Sequence, residues 1–402
     1  MSVYFDHAYL DHAATAPMLP AAITAYAEAM AVVGNPASIH SQGQNAKRML
    51  EEARERVAAS VGCDPIEVVF TGGGTEAVNL GIKGLYWARA PRTRILVPGG
   101  EHHATVDTVE WLAQQEGATV QWIPLDGLGR VDVAALAAAI DSNPHDVALV
   151  TLLAANNEVG TLQPIREVAA LAAAHGIPVH VDAISAYGHL AIDFTALHAT
   201  GVSALSLSAH KIGGPVGIGA LVLSRTATVV PLIHGGGQQR QVRSGTQDVA
   251  AAVSFAVAAT AVTSELETEG RRLRALRDTV IAGVTAAVPS AVYNGDPDPA
   301  GRLPGNAHFT FPGCEGDSLL FLLDVAGVSV STGSACQAGI PEPSHVLRAM
   351  GRSLAEARSA LRITLGRTST QADVDALISA LPTAWAQAIG AGMADSAPRA
   401  YT

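Results

Sequence analysis

The stretch Ser203-Ala-Leu-Ser-Leu-Ser-Ala-His-Lys-Ile-Gly-Gly-Pro-Val-Gly-Ile-Gly-Ala-Leu221 opens as a short apolar run and closes on a glycine-rich turn. Ser208, His210 and Lys211 sit at the junction. The chain has only three lysines, Lys47, Lys83 and Lys211. The first two lie in helix-like sequence, where a solvated charge is the ordinary role. Lys211 instead ends a buried strand, and open α/β sheets place their chemistry at strand ends. A lysine partly desolvated there has a lowered pKa and can form a Schiff base. By position alone, a lysine that solvates a turn is an equal reading.

Working outward, strands alternate with helix-length segments. Glu67–Phe70, Arg94–Val97, Thr119–Ile123, Val147–Leu153, Pro178–Asp182, the lysine strand and Ile218–Leu223 read as strands. Such alternation predicts βαβ units in a mainly parallel sheet of seven strands, hence an α/β fold. After about Asp248 the pattern changes. An Ala-rich helix is expected to about Ala287, followed by short strands at 291–293, 307–311, 328–331 and 361–365 and a last helix from about Gln371. The expected organisation is a large α/β domain over residues 15–250 and a smaller α+β domain from 1–14 and 251–402.

At 402 residues the chain can bury a large core. A net charge of −11 with no basic cluster speaks against direct nucleic-acid binding. The cysteines, Cys63, Cys314 and Cys336, are odd in number and have no close pair. They make neither a disulfide framework nor a metal site, and fit a reducing compartment. Residues 1–7 carry no basic region or signal-like apolar core, and no apolar run has membrane-spanning length. The expectation is a soluble, cytoplasmic protein with no membrane partner.

Several strand ends carry polar groups. Gly72-Gly-Gly-Thr75 stands before a helix, where backbone N–H groups and a hydroxyl can hold a phosphate. Taken alone, it is only a turn. Asp182 ends an apolar strand. It is either a turn former or a buried carboxylate needing a cationic partner such as a pyridinium nitrogen. His102 and His103 follow another strand, and one of them can lay its ring against a planar cofactor. Cys336 lies in Ser331-Thr-Gly-Ser-Ala-Cys-Gln-Ala-Gly339, a small, polar stretch of the kind that exposes a reactive thiol. Arg362 can fork onto a carboxylate or form a surface ion pair.

Together these residues resemble the cysteine desulfurases of the NifS/IscS type, fold-type I pyridoxal-phosphate enzymes. The resemblance runs from Tyr9-Leu-Asp-His-Ala-Ala-Thr to Leu365-Gly-Arg367. It is carried by Gly34-Asn-Pro-Ala-Ser38, Thr71-Gly-Gly-Gly-Thr-Glu76, Glu101-His102, Asn156-Asn-Glu-Val-Gly160, His180-Val-Asp-Ala183, Ser208-Ala-His-Lys211, His234-Gly-Gly-Gly237, Arg243-Ser-Gly-Thr246 and Ser334-Ala-Cys336. The resemblance implies a role for each. Lys211 carries pyridoxal 5′-phosphate as a Schiff base and later acts as general base. His102 stacks on the ring and Asp182 bonds its nitrogen. Gly74, Thr75, Ser208 and His210 hold the phosphate. Thr246 reaches the phosphate of a neighbouring subunit, which implies a homodimer. Asn157 and Arg362 receive the substrate carboxylate, and Cys336 accepts the sulfur as a persulfide. No metal is implied.

Two positions depart from the family pattern. Ser185 stands where a glutamine usually bonds the cofactor's phenolic oxygen; it is too short to do so directly, and water can bridge the gap. Gln239 stands where a glutamate is common. The implied function is conversion of L-cysteine to L-alanine, with sulfur passed to an iron–sulfur scaffold or another acceptor such as a thiolation enzyme. Selenocysteine lyase shares the architecture. A sulfur-carrier or scaffold-binding protein that turns over weakly is the non-enzymatic alternative, prompted by Ser185.

Overall fold

The computed structural model describes residues 7–333 and 342–390. The first half of the chain runs β1 (Ala8–Tyr9), α1 (Pro20–Met30), α2 (Ser41–Ser60), β2 (Val68–Thr71), α3 (Gly74–Trp87), β3 (Arg94–Pro98), α4 (His103–Glu116), β4 (Thr119–Ile123), α5 (Val133–Ser142) and β5 (Val147–Leu153). It continues through α6 (Ile165–Ala173), β6 (Val179–Asp182), α7 (Phe194–His198), β7 (Val202–Ser208) and β8 (Gly219–Leu223). These strands form a seven-stranded sheet in the order β2-β8-β7-β6-β5-β3-β4. From β7 to β4 all neighbours are parallel, and β8 runs antiparallel to both β7 and β2.

Alternation of side chains decides which residue faces which helical layer. Leu96, Ala220 and Val222 face a core built with Val57 of α2, Leu136 of α5 and Val168 of α6. Ile95, Val97, Leu221 and Leu223 face the other way, onto Leu80 of α3 and Leu112 of α4. Both faces are covered, which is why β5 and β8 read as largely apolar runs, while the polar residues His180, Asp182, Ser206 and Ser208 within β6 and β7 are buried. The parallel strands β5, β6 and β7 end side by side, with Leu153 opposite Asp182 and Asp182 opposite Ser206.

The remaining elements are α8 (Val249–Ser264), α9 (Leu266–Ala287), β9 (Val292–Asn294), β10 (Asn306–Thr310), α10 (Gly316–Val325), β11 (Val328–Ser329), α11 (His345–Ala349), α12 (Leu354–Arg358), β12 (Ala360–Thr364) and α13 (Gln371–Gly390). The Ala-rich segment expected as one helix is two, bent by 72° at Glu265. α8 packs Phe255 and Ala256 into the large-sheet core, while α9 packs Leu273 and Val280 into a second core. That second core includes Phe309 and Leu361 from the antiparallel sheet β12-β10-β9, together with Leu10 beside β1. Two different cores claim the two halves of the segment, and the bend lets each reach its own. Among the described residues no single helix is long and apolar enough to cross a membrane, although this bent pair passes by length and composition.

Candidate active site

The ends of β5, β6 and β7 open into a cleft of about 600 Å³. Gly74, Thr75, His102, Asn157, Asp182, Ser185, Ser208, His210, Lys211 and Arg362 all line it. The strand ends beneath are fixed by His180, whose Nδ1 lies 2.9 Å from Thr151 Oγ1 on β5 and whose Nε2 lies 2.8 Å from Ser206 Oγ on β7. One buried imidazole thus ties β6 to both neighbours, two residues before Asp182 on the same face.

Lys211 ends a short 3-10 turn, Ala209–Lys211, that follows β7 directly. Its Nζ donates to the carbonyls of Ala13 (2.5 Å) and Ala14 (2.9 Å). Burial lowers its pKa to about 8, and Arg362 adds to this against the opposing pull of Asp11 and Asp182. Asp182 is buried and, among the described residues, accepts only from the Ile184 amide, at 2.9 Å. Burial pushes its carboxyl up to about 6, while the Ile184 amide and Lys211 pull the other way. A carboxylate with one partner and room beside it suits a cationic hydrogen-bond donor.

His102 is the N-cap of α4; its Nδ1 accepts from the Ala104 amide at 3.0 Å. That bond leaves any ring proton on Nε2. Burial, then the Lys211 charge, lower its pKa to about 4, so the ring is neutral at pH 7. His103, the other candidate of the pair, faces Asp107 and His345. His210 contacts Thr15 Oγ1 at 3.2 Å and is likewise lowered to about 4 by burial and by Lys211.

Gly74 and Thr75 begin α3, so their amides are among those with no helical acceptor and point at the cleft end. A Cβ on Gly74 would lie 2.4 Å from Ile184 Cδ1 and 3.1 Å from Ser208 Cβ, so a larger residue would push the Ile184 tip aside and crowd Ser208. Ser208 Oγ is buried with no hydrogen-bond partner among the described residues. A helix start, an unpaired hydroxyl and a nearby imidazole form a donor set for a phosphate.

Arg362 projects from β12, donating Nη2 to Asp11 Oδ1 and Nη1 to the Asn157 carbonyl, each at 2.9 Å. Its Nε and the buried Asn157 Oδ1 have no partner among the described residues. Thr246 is exposed and does not line the cleft. Cys336 lies outside the described residues. On either side of that stretch, Ser331, Thr332, Gly333 and His345 line the cleft. Ser344 Oγ donates to buried Glu158, and His345 Nε2 lies 2.8 Å from the Glu101 carbonyl.

Sequence reasoning assigned no role to Asp11, Glu101 or Glu158. Glu101 is buried, takes the Leu153 amide at 3.0 Å, and has its pKa raised well above the ordinary carboxylate range by burial, with nearby Asp182 adding to it. Its position beside His102 was the only available signal. Gln239, the other departure noted above, brackets the edge strand: it accepts from the Phe70 amide, donates to the Phe70 carbonyl and accepts from Arg54. Among the described residues no cluster of His, Cys, Asp or Glu has the arrangement to hold a metal ion.

Residues 8–377 match the class-V aminotransferase family. The chain is 53% identical over 391 residues to an IscS-like cysteine desulfurase of Mycobacterium tuberculosis, covering 96% of this chain and 98% of that one. It is 39% identical to the cysteine desulfurase IscS of Methanosarcina thermophila, covering 93% and 91%. A solved structure described as a NifS-like protein superposes with a TM-score of 0.87 at 31% identity, covering 95% of this chain and 100% of that one.

Proposed function

The chain belongs to the class-V aminotransferase family, and from that membership we infer that it is a cysteine desulfurase. It converts L-cysteine to L-alanine with pyridoxal 5′-phosphate and passes the sulfur to Cys336. The observation that carries the reading is the convergence of Lys211, Asp182, His102 and Ser208 on one cleft.

The residues present fit the cofactor. The unpaired Ser208 hydroxyl, His210 and the start of α3 at Gly74 and Thr75 suit its phosphate. Asp182, buried and singly bonded, suits its ring nitrogen, and the neutral His102 ring suits its face. Asn157 flanks the cleft as a polar partner for its remaining oxygen, which Ser185 would reach only through a bridging water. Bound pyridoxal phosphate supplies a protonated ring that takes up the electron pair left at the substrate Cα.

The protein's own groups do the rest. Lys211 is the covalent anchor and then the base that takes the Cα proton; a pKa of about 8 leaves part of its population as free amine near neutrality. Arg362 and Asn157 orient the substrate carboxylate, which competes with Asp11 for the guanidinium. The Cys336 thiolate attacks the substrate sulfur: an S–S bond forms as the Cβ–S bond breaks, and the electron pair of that bond stays with the carbon fragment that becomes alanine. The persulfide then serves an acceptor, an iron–sulfur scaffold or a thiolation enzyme. We propose that Thr246, exposed outside the cleft, serves the phosphate of a second copy of the chain in a homodimer.

The test is production of alanine and sulfide from L-cysteine with a reductant. Equal yields are expected, and Cys336→Ser should abolish both while keeping the bound cofactor's colour. No alanine from cofactor-loaded protein, or undiminished alanine from Cys336→Ser, would overturn the reading.

A further inference from the structure

Lys211 stands where three cavities meet. The first is the cleft described above. A second, about 40 Å³, lies behind it, among Ser185, Asn157, Asn306, Thr364, His12 and His189. A third, about 350 Å³, opens beyond His12 and His189 between Leu19, Ile212 and Leu273. Among the described residues that line them, only Lys211 borders all three.

The small cavity has room for water. Its volume exceeds the roughly 10–15 Å³ that one water needs. Two of its lining residues carry a buried polar atom with no hydrogen-bond partner among the described residues, Asn157 Oδ1 and Asn306 Oδ1. Both are amide oxygens, which can only accept, so they need a donor that a water molecule supplies. Asn306 is already committed on its other side, donating to the Glu158 carbonyl at 3.0 Å. The short side chain of Ser185, lining both this cavity and the cleft, leaves the space open.

His189 borders the small cavity and the rear one. Burial lowers its pKa, with Glu269 opposing, so it is a neutral imidazole at pH 7. A neutral imidazole has one acceptor and one donor nitrogen and can take a proton on one while releasing another. Glu269, on the rear wall, is held in a 2.7 Å ion pair with Arg272.

We propose that Lys211 exchanges its proton with solvent from behind, through water in the small cavity, with His189 as the relay into the rear cavity. The proposal rests on the desulfurase reading for the source of the proton. The substrate Cα proton moves to Nζ and converts amine to ammonium. Nζ gives a proton to the cavity water, which gives one to the acceptor nitrogen of His189. The other ring nitrogen releases its proton to water in the rear cavity. One proton leaves Nζ, the free amine is restored, and no electron changes hands. Substrate filling the front cleft then does not trap the proton on the lysine.

The experiment follows isotope rather than rate. Cofactor-loaded protein is given L-[2-²H]cysteine in ordinary water, and deuterium in the alanine product, at Cα or methyl, is read by mass spectrometry. Unmodified protein should wash most of the label out. His189→Leu should retain several-fold more, because the deuteron stays on Lys211 long enough to return. His189→Ala should behave likewise, and added imidazole should restore washout, which a merely structural role would not allow. Washout of label from L-[2-²H]alanine, which needs no sulfur transfer, should slow in the same variants and keeps the relay testable if desulfuration itself fails. Label retention and exchange in both variants equal to those of the unmodified protein, with no imidazole effect, would overturn the relay. Failure of the unmodified protein to form alanine while it still exchanges the alanine label would overturn the desulfurase reading and leave the relay to be judged on that exchange.

Discussion

Replacing Lys211 with methionine should make the cofactor-free protein more stable. Burial, with Arg362, drops the lysine pKa from 10.5 to about 8. Keeping that amine protonated at pH 7 therefore costs the fold about 3 kcal/mol, at about 1.4 kcal/mol per pKa unit. The variant leaves the Ala13 and Ala14 carbonyls without their donor. They border a cleft wide enough for water, so this returns about 1 kcal/mol. The expected gain is about 2 kcal/mol at pH 7. The sign of the pH dependence follows from the depressed pKa. The unfolded chain binds more protons between pH 8 and 10.5, so the lysine's cost is fully present below 8 and fades as pH rises toward 10.5. Urea unfolding of both cofactor-free proteins at pH 7 and pH 10 measures this. A variant no more stable than the parent at pH 7, or an advantage undiminished at pH 10, would refute a desolvated amine at this position.

Asp182→Asn should weaken cofactor binding about 10- to 100-fold, the loss of a charge-assisted hydrogen bond of about 1.5–3 kcal/mol, read by fluorescence titration. Gly74→Ala places a methyl 2.4 Å from Ile184 Cδ1 and 3.1 Å from Ser208 Cβ. Overpacking of about 1–3 kcal/mol should lower Tm and loosen the cofactor together. Arg362→Lys cannot hold both Asp11 and the Asn157 carbonyl as the guanidinium does. It should raise KM for L-cysteine about tenfold or more with a smaller change in kcat, measured by steady-state alanine formation.

The large sheet was legible because its strands are covered on both faces, so β5 and β8 read as largely apolar runs and the polar groups at the strand ends stood out. Lys211 was conspicuous through the scarcity of lysine, and Asp182 through its place at a strand end. What stayed hidden depends on tertiary partners. The bend at Glu265 is local in position but global in cause, since Phe255 and Leu273 belong to different cores. Asp11 gains its part only by meeting Arg362, 351 residues away. Glu101 stands in the Glu101-His102 motif, but its character comes from burial beside Asp182, which the sequence does not display. His189 has no local motif; the cavities on either side of it single it out.

The most direct measurement is borohydride reduction of the cofactor-loaded protein followed by peptide mapping. The label is expected on Lys211 alone. Label on Lys47 or Lys83, or no reducible link in protein that has taken up the cofactor, would contradict the assignment on which the whole account stands.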